Sequence, residues 1–245
     1  MLHWLLERLS KNRDDKLKEL EKFLKVNFKD KKLLKKALSH RSFVYYKKGN
    51  YLDSNERLEF LGDSLLNFII VNYLYQKFPL KKEGELSKLK SVIVSEELLA
   101  RTVEYFNLNK YLLLGPSEEK INGRNKPSLL ADMYEAIIAA IYLDKNGGIN
   151  KAREFVYSTL IYMVENTNIV KEFYNYKGEL IKWSKKQNVK VEFKVISTEG
   201  EEHNKTFTVE LYIDNKKFSQ TQANTIKKAQ QKLSKEALSI IKRKF

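Results

Sequence analysis

Cysteine is absent from the 245 residues, which excludes disulfides and a thiolate zinc site. Its absence fits a reducing compartment. Histidine is scarce: His3, His40 and His203 lie far apart and offer no clustered imidazole ligands, and His40 reads as structural. No stretch is apolar for the length that a membrane span needs. The opening "MLHWLLERLSKN" has an apolar run too short for a signal peptide, broken by Glu7 and Arg8. There is no internal repeat and no low-complexity tract. These absences predict a soluble, intracellular, cytoplasmic protein with no membrane partner.

Negative charge is outnumbered. Lysine and arginine total 46 against 31 acidic residues, giving a net charge of +15 and a pI near 9.6. Such a balance speaks of partners rather than of fold. A polyanion is the leading partner and nucleic acid the leading polyanion, although lysine-rich solvated faces would give the same composition. From Lys171 onward, 17 basic residues face nine acidic ones, so the last third carries more than twice the net charge per residue of the rest.

The hydrophobic content of 42% is enough for a core in one large or two small domains. Two regions differ in period. Residues 1–166 read as helix after helix, with helical spacing in "DDKLKELEKFL" and "KKLLKKALSH". It recurs over Asn55 to about Gln76, Leu86–Phe106, Ser128–Leu143 and about Ile149 to Glu165. "INGRNKPS" (121–128) reads as a loop. A linker is expected near 166–175. Beyond it, residues 174–245 give a short helix, "NYKGELIKWSKKQN". The strand "VKVEFKVIST" follows, with Val191, Phe193 and Val195 on one face. A second strand, "KTFTVELYID", carries Phe207, Val209, Leu211 and Ile213. A turn at "DNKKF", a third strand "KFSQTQA" and a closing helix complete α-β-β-β-α, a sheet meander with two helices on one face.

The chemistry sits in "NERLEFLGDS" (55–64). Leu58, Leu61 and Leu65 mark a core-facing stripe, yet Glu56, Glu59 and Asp63 share another stripe of the same helix. Like charges at such spacing cost roughly 0.2–0.5 kcal/mol each, and Arg57, the only cation nearby in sequence, points elsewhere. In "SLLADMYEAIIAAIYLD", Asp132 and Glu135 lie three apart on a helix too apolar to be a surface helix. Ala136, Ala139 and Ala140 permit close helix approach, as would Gly62 in the first helix. Crossing the two helices would gather four carboxylates, which need either protons or a multivalent cation. An all-oxygen set favours Mg²⁺ or Mn²⁺, and so metal-dependent phosphodiester hydrolysis. Spacing alone leaves a plainer reading open: a solvated acidic face, with Asp53 and Glu56 in a capping-box-like helix start.

At these residues the chain resembles the ribonuclease III family. "NERLEFLGDS" is close to the family signature. "LLKKALSHRSF", "EGELSKLKSVIVSEELLA" and "LLADMYEAIIAAIYLD" continue the match in order, and the C-terminal unit resembles a double-stranded RNA-binding domain. The likeness spans about residues 16–244. It implies a mainly α protein: an all-helical, bacterial-type endonuclease domain that works as a homodimer, then a small α+β domain. It also implies an endoribonuclease that cuts double-stranded RNA with Mg²⁺, for which Mn²⁺ can substitute. The products would carry 5′-phosphate and 3′-hydroxyl ends, in rRNA precursor and other RNA processing. It places the metal ligands on Glu59, Asp63, Asp132 and Glu135, with Asp63 and Glu135 catalytic and Glu56 supporting. For RNA contact it points to His203 in "GEEHNK", to Lys227 and Lys228 at the start of the last helix, and to Lys182. Here the chain departs from the family pattern: Ile226 replaces a lysine, Gln230 is uncharged, Leu233 and Ser234 stand where alanines are usual, and Ile181 sits in the first helix.

Overall fold

The structure, a computed structural model, describes residues 15–167, 176–200 and 205–241. The chain divides into two compact units, Met1–Phe173 and Tyr174–Phe245. The expected linker and His203 lie outside the described residues, apart from the linker's first two positions.

The first unit is helical. Its elements are α1 (residues 15–24), α2 (Lys31–Ala37), α3 (Arg41–Tyr46), α4 (Glu56–Lys77), α5 (Glu83–Ile93), α6 (Glu96–Tyr105), α7 (Pro116–Lys120), α8 (Pro127–Leu143), α9 (Ile149–Val156) and α10 (Tyr162–Asn166). Among the described residues of this unit the only strand-like pairing is one parallel bridge, Ser39 with Leu113. Helix α8 is the axis. Pro127 occupies its first turn, where the missing N–H costs nothing. From Leu129 to Ile141 only Asp132 and Glu135 escape full burial. Helices α2, α4, α6 and α9 pack around it. Each fully buried Leu or Ile contributes about 1.5–3 kcal/mol of transfer free energy.

The predicted helix Leu86–Phe106 is two helices. Ser95 breaks it, because its hydroxyl accepts from the Leu98 N–H and caps α6. The predicted helix beginning at Ile149 has a π segment, Tyr157–Ile161, between α9 and α10. There the Thr159 hydroxyl donates to the Phe155 carbonyl at 2.7 Å and meets the Tyr134 hydroxyl at 2.8 Å. The short α3 was not expected. Its cap is His40, whose Nδ1 accepts from the Ser42 N–H at 3.3 Å.

The second unit has helix α11 (Tyr176–Gln187), strands β1 (Val191–Glu199), β2 (Thr206–Ile213) and β3 (Lys216–Ala223), and helix α12 (Ile226–Ile241). The sheet is antiparallel in the order β1-β2-β3. Asp214 and Asn215 take positive φ at the β2–β3 turn, as a tight hairpin requires. Leu180, Val209, Leu211, Ala229, Leu233, Ala237 and Leu238 form the core between sheet and helices. Val195 pairs with the buried Val209 and so shares the core face with Val191 and Phe193, but it is 46% exposed; the register shift follows it, between Val195 and Ser197.

Candidate active site

Helices α4 and α8 carry the four carboxylates and pack against each other more extensively than any other pair of elements. Their approach is set by Gly62. A Cβ at that position would lie 1.9 Å from the Glu135 carbonyl oxygen and 2.4 Å from its carbon. The backbones therefore touch at the residue that bears one of the predicted ligands. Glu59 and Asp63 flank Gly62 on α4, while Asp132 and Glu135 occupy successive turns of α8.

Electrostatics tie the four together. Burial, then Asp63, Asp132 and Glu59, push the Glu135 carboxyl up to about 8. Burial, then Glu59, Glu96 and Glu56, raise Asp132 to about 7, against the opposing pull of Lys126. Burial raises Glu59 as well, helped by Glu56 and Asp63. Glu59, Asp132 and Glu135 are half-buried and Asp63 is exposed. Three of the four are thus not on a solvated face. Among the described residues, however, no three His, Asp or Glu side chains already converge as a cation-holding group. The carboxylates share a neighbourhood without sharing one point.

Several neighbours were not visible in the sequence. The Asn67 side chain donates to Asp63 Oδ1 at 2.8 Å and fixes that carboxylate from one helical turn away. Glu96, on α6, faces Asp132. Glu56 accepts a hydrogen bond from the Tyr51 hydroxyl and lies 3.7 Å from Arg41 Nη1. The N-cap of α4 is Asn55, without a side-chain cap bond, so the capping-box start with Asp53 is not formed. Arg57 is not the only cation nearby, since Arg41 and Lys126 arrive from α3 and from the residue before α8. Only spacing within α4 could have flagged Asn67; the others come together through tertiary packing.

Residues 30–164 match the family model described as Ribonuclease-III-like, and residues 176–241 match the Double-stranded RNA binding motif. Ribonuclease 3 of a Nitratiruptor species is 38% identical over 227 residues, covering 92% of this chain and 97% of the relative. Ribonuclease 3 of Streptococcus pneumoniae (strain CGSP14) is 38% identical over 228 residues, 91% and 97% of the two chains. The chain belongs to the ribonuclease III family. A crystal structure of the nuclease domain of the Campylobacter jejuni enzyme superposes with a TM-score of 0.54 at 41% identity, covering 61% of this chain and 96% of that one. A second structure of that domain, with the same score and identity and 97% of its length covered, is described as flexible in a region involved in dimer formation. As a ribonuclease III, this protein is an endoribonuclease of double-stranded RNA with a helical nuclease unit and a duplex-binding unit.

In the duplex-binding unit, Lys182 is exposed on α11, and Lys227 and Lys228 are exposed at the start of α12. Lys182 Nζ lies 4.0 Å from Glu179. The departures from the ribonuclease III pattern have local roles. Gln230 accepts from the Lys177 ammonium at 2.8 Å and Gln231 from the Lys177 N–H at 3.2 Å, joining α12 to α11. Leu233 is in the core, and Ser234 is buried with its hydroxyl donating to the Gln230 carbonyl at 2.7 Å.

Proposed function

We propose that Glu59, Asp63, Asp132 and Glu135 hold Mg²⁺, or Mn²⁺ in its place, and that this centre hydrolyses RNA phosphodiesters. One observation carries the reading: carboxylates from two helices in backbone contact raise one another's pKa, so the site holds more negative charge than it can keep at neutral pH. Hard oxygen donors in a chain without cysteine suit a hard cation. When bound, such an ion supplies an activated water and neutralises charge on phosphoryl oxygens. Asp63 and Glu135 lie on either side of the helix contact and are the catalytic pair. Glu59 and Asp132 complete the ligand set, and Asn67 orients Asp63. Glu56 supports from the rim, restrained by Tyr51 and Arg41. Water attack at phosphorus with the 3′ oxygen as leaving group, protonated as it departs, would leave the 5′-phosphate and 3′-hydroxyl ends that the family resemblance implies.

A homodimer would supply one such site per strand of the duplex. Supporting it, α4 exposes an apolar stripe of Phe60, Phe68, Val71 and Tyr75. Phe60 is 79% exposed and borders a cavity of about 590 Å³ walled by Leu33, Leu58, Leu61 and Leu143. The Campylobacter relative's dimer-forming nuclease domain favours the same assembly. Lys182, Lys227, Lys228 and His203 are assigned to phosphate and minor-groove contact. The cellular role assigned is cytoplasmic processing of rRNA precursors and of other structured transcripts. Among the described residues no helix is long and apolar enough to cross a membrane.

The test is digestion of a long RNA duplex with and without EDTA. Asp63→Asn and Glu135→Gln should each abolish cutting while leaving duplex binding intact. Cutting at the wild-type rate by both variants would remove the assignment. Binding without cleavage by the unaltered protein, in either Mg²⁺ or Mn²⁺, would make it a duplex binder only.

A further inference from the structure

A second cavity, of about 400 Å³, opens beside the carboxylates and is not used by them. Its walls come from the α3 corner (Arg41, Tyr45), the turn before α4 (Tyr51), α7 (Glu118) and the residue before α8 (Lys126). Two further lining side chains are already committed. His40 Nδ1 and Ser42 Oγ lie 2.8 Å apart, and Ser42 Oγ accepts from the Gly115 N–H at 2.9 Å. The groups left to meet a ligand are two cations, two tyrosines, one carboxylate and the Leu129 side chain.

The balance favours an anion. Arg41 is two-thirds exposed, and its ion pair with Glu56 is long at 3.7 Å. Lys126 is exposed and has no ion pair among the described residues. Glu118 has one carboxylate oxygen buried under the turn at Gly123, turned from solvent. The tyrosines make the mouth amphipathic: Tyr45 is 87% exposed and Tyr51 62%. The sequence continues as Tyr46, Lys47 and Lys48, with the Lys47 ammonium 5.0 Å from the Tyr46 ring centre. Cations interleaved with exposed aromatic rings suit a sugar–phosphate strand, which brings both charge and flat apolar surface. The cavity is linked to the reaction centre through its lining residues. Arg41 and Tyr51 both hold Glu56, and the charge of Lys126 reaches Asp132.

We propose that this pocket seats a backbone phosphate of the substrate strand next to the scissile linkage. Arg41 and Lys126 are its phosphate ligands, and Tyr45 and Tyr51 pack on the adjoining sugar. Arg41 exchanges a long, weak pair with Glu56 for a charge-assisted contact to phosphate. Both cations are positioning residues: they fix where the strand lies relative to the four carboxylates. The proposal rests on the reading of those carboxylates given above.

The experiment separates the two. Duplex affinity is measured over a range of salt with Mg²⁺ present, in a full-length Glu135→Gln background so that the RNA survives. If that background still cleaves, the carboxylate assignment fails, and the pocket's place beside the scissile linkage fails with it. Otherwise Arg41→Gln and Lys126→Gln should each weaken binding roughly three- to tenfold and lower the slope of log K against log salt by about one. Arg41→Lys should restore the slope. Tyr45→Ala should weaken binding with the slope unchanged, because it removes contact area without charge. Unchanged affinity and slope in both cation variants would overturn the proposal. So would weaker binding in Arg41→Gln with an unchanged salt slope, which would point to a merely structural ion pair with Glu56.

Discussion

Gly62 and Glu135 touch backbone to backbone, and no side chain of any size fits between them. The contact lies between the two acidic pairs, so it fixes how far Glu59 and Asp63 stand from Asp132 and Glu135. A mid-helix glycine costs about 1 kcal/mol against alanine. Here that cost sets the geometry of the carboxylate cluster.

Gly62→Ala should therefore do harm, although alanine is the better helix former. The new methyl would meet the Glu135 carbonyl far inside contact distance, so α4 and α8 must separate. We expect a loss of roughly 1–3 kcal/mol from overpacking and at least about a hundredfold loss of cleavage rate in whatever still folds. Thermal melts and single-turnover cleavage would measure both. A variant with wild-type melting temperature and rate would show that the helix spacing has slack.

Asp144 holds the other end of α8. Its carboxylate accepts from the backbone N–H groups of Lys29, Asp30 and Asn146 at 2.9–3.0 Å, tying the segment before α2 to the end of the central helix. Burial acts to raise its pKa, but these donors outweigh it and hold the carboxyl below the ordinary range. A depressed native pKa gives stability that is present above the unfolded value and is lost as pH falls through the native one. Asp144→Ala should cost roughly 2–4 kcal/mol near neutrality. The difference from the parent should shrink in strong acid. Denaturant titrations at several pH values would show it, and a gap independent of pH would refute the carboxylate account.

Much of this was legible in the sequence because it depends on local periodicity. The stripe of Leu58, Leu61 and Leu65 found α4, the nearly unbroken apolar run around Asp132 found α8, and alternation found β2. Gly62 stood out as a small residue where bulk was expected. What escaped depends on contacts between residues far apart in the chain, or on single caps. Ser95 looks like any polar helix residue until its hydroxyl takes the Leu98 N–H. The six residues of α3 are too few to show a period. Val195 obeys the alternation and lies opposite the buried Val209, yet on the edge strand β1 it is left uncovered, which alternation does not report. Arg41 and Lys126 reach the carboxylates only through the packing of α3 and α8, so sequence distance hid them. The four carboxylates were legible as two pairs, and their convergence is electrostatic rather than a finished ligand cage.

Phe60 tests the assembly. It is exposed on the same helix that presents Glu59 and Asp63 on another face. Phe60→Glu would leave the folded monomer nearly unchanged, because the ring buries little within it. It would place a charge in an apolar contact between subunits. Light scattering should report a monomer, with cleavage of long duplex falling by at least about tenfold. A stable dimer in this variant would move the interface off the Phe60 face.

The raised carboxyls of Asp132 and Glu135 couple cation binding to protons. Their native values of about 7 and about 8 compare with ordinary ones of 3.8 and 4.5. A group raised in the native state contributes stability below its unfolded value and loses it as pH rises through the native one. Without divalent ions, the nuclease unit should therefore lose stability between about pH 4 and pH 8, on the order of a few kcal/mol per group. Near neutrality these groups still hold protons, which a cation must displace. Mg²⁺ binding at pH 7 should release roughly one to two protons, and affinity should climb steeply from pH 6 to 8 before levelling off. Calorimetry in buffers of different ionisation enthalpy counts those protons directly. Asp132→Asn and Glu135→Gln should each lower the count and, in EDTA at pH 8, raise the melting temperature, because each removes a half-buried charge from a repelling cluster. Proton-free binding with affinity flat from pH 6 to 8 would mean that the ion, if it binds, sits elsewhere.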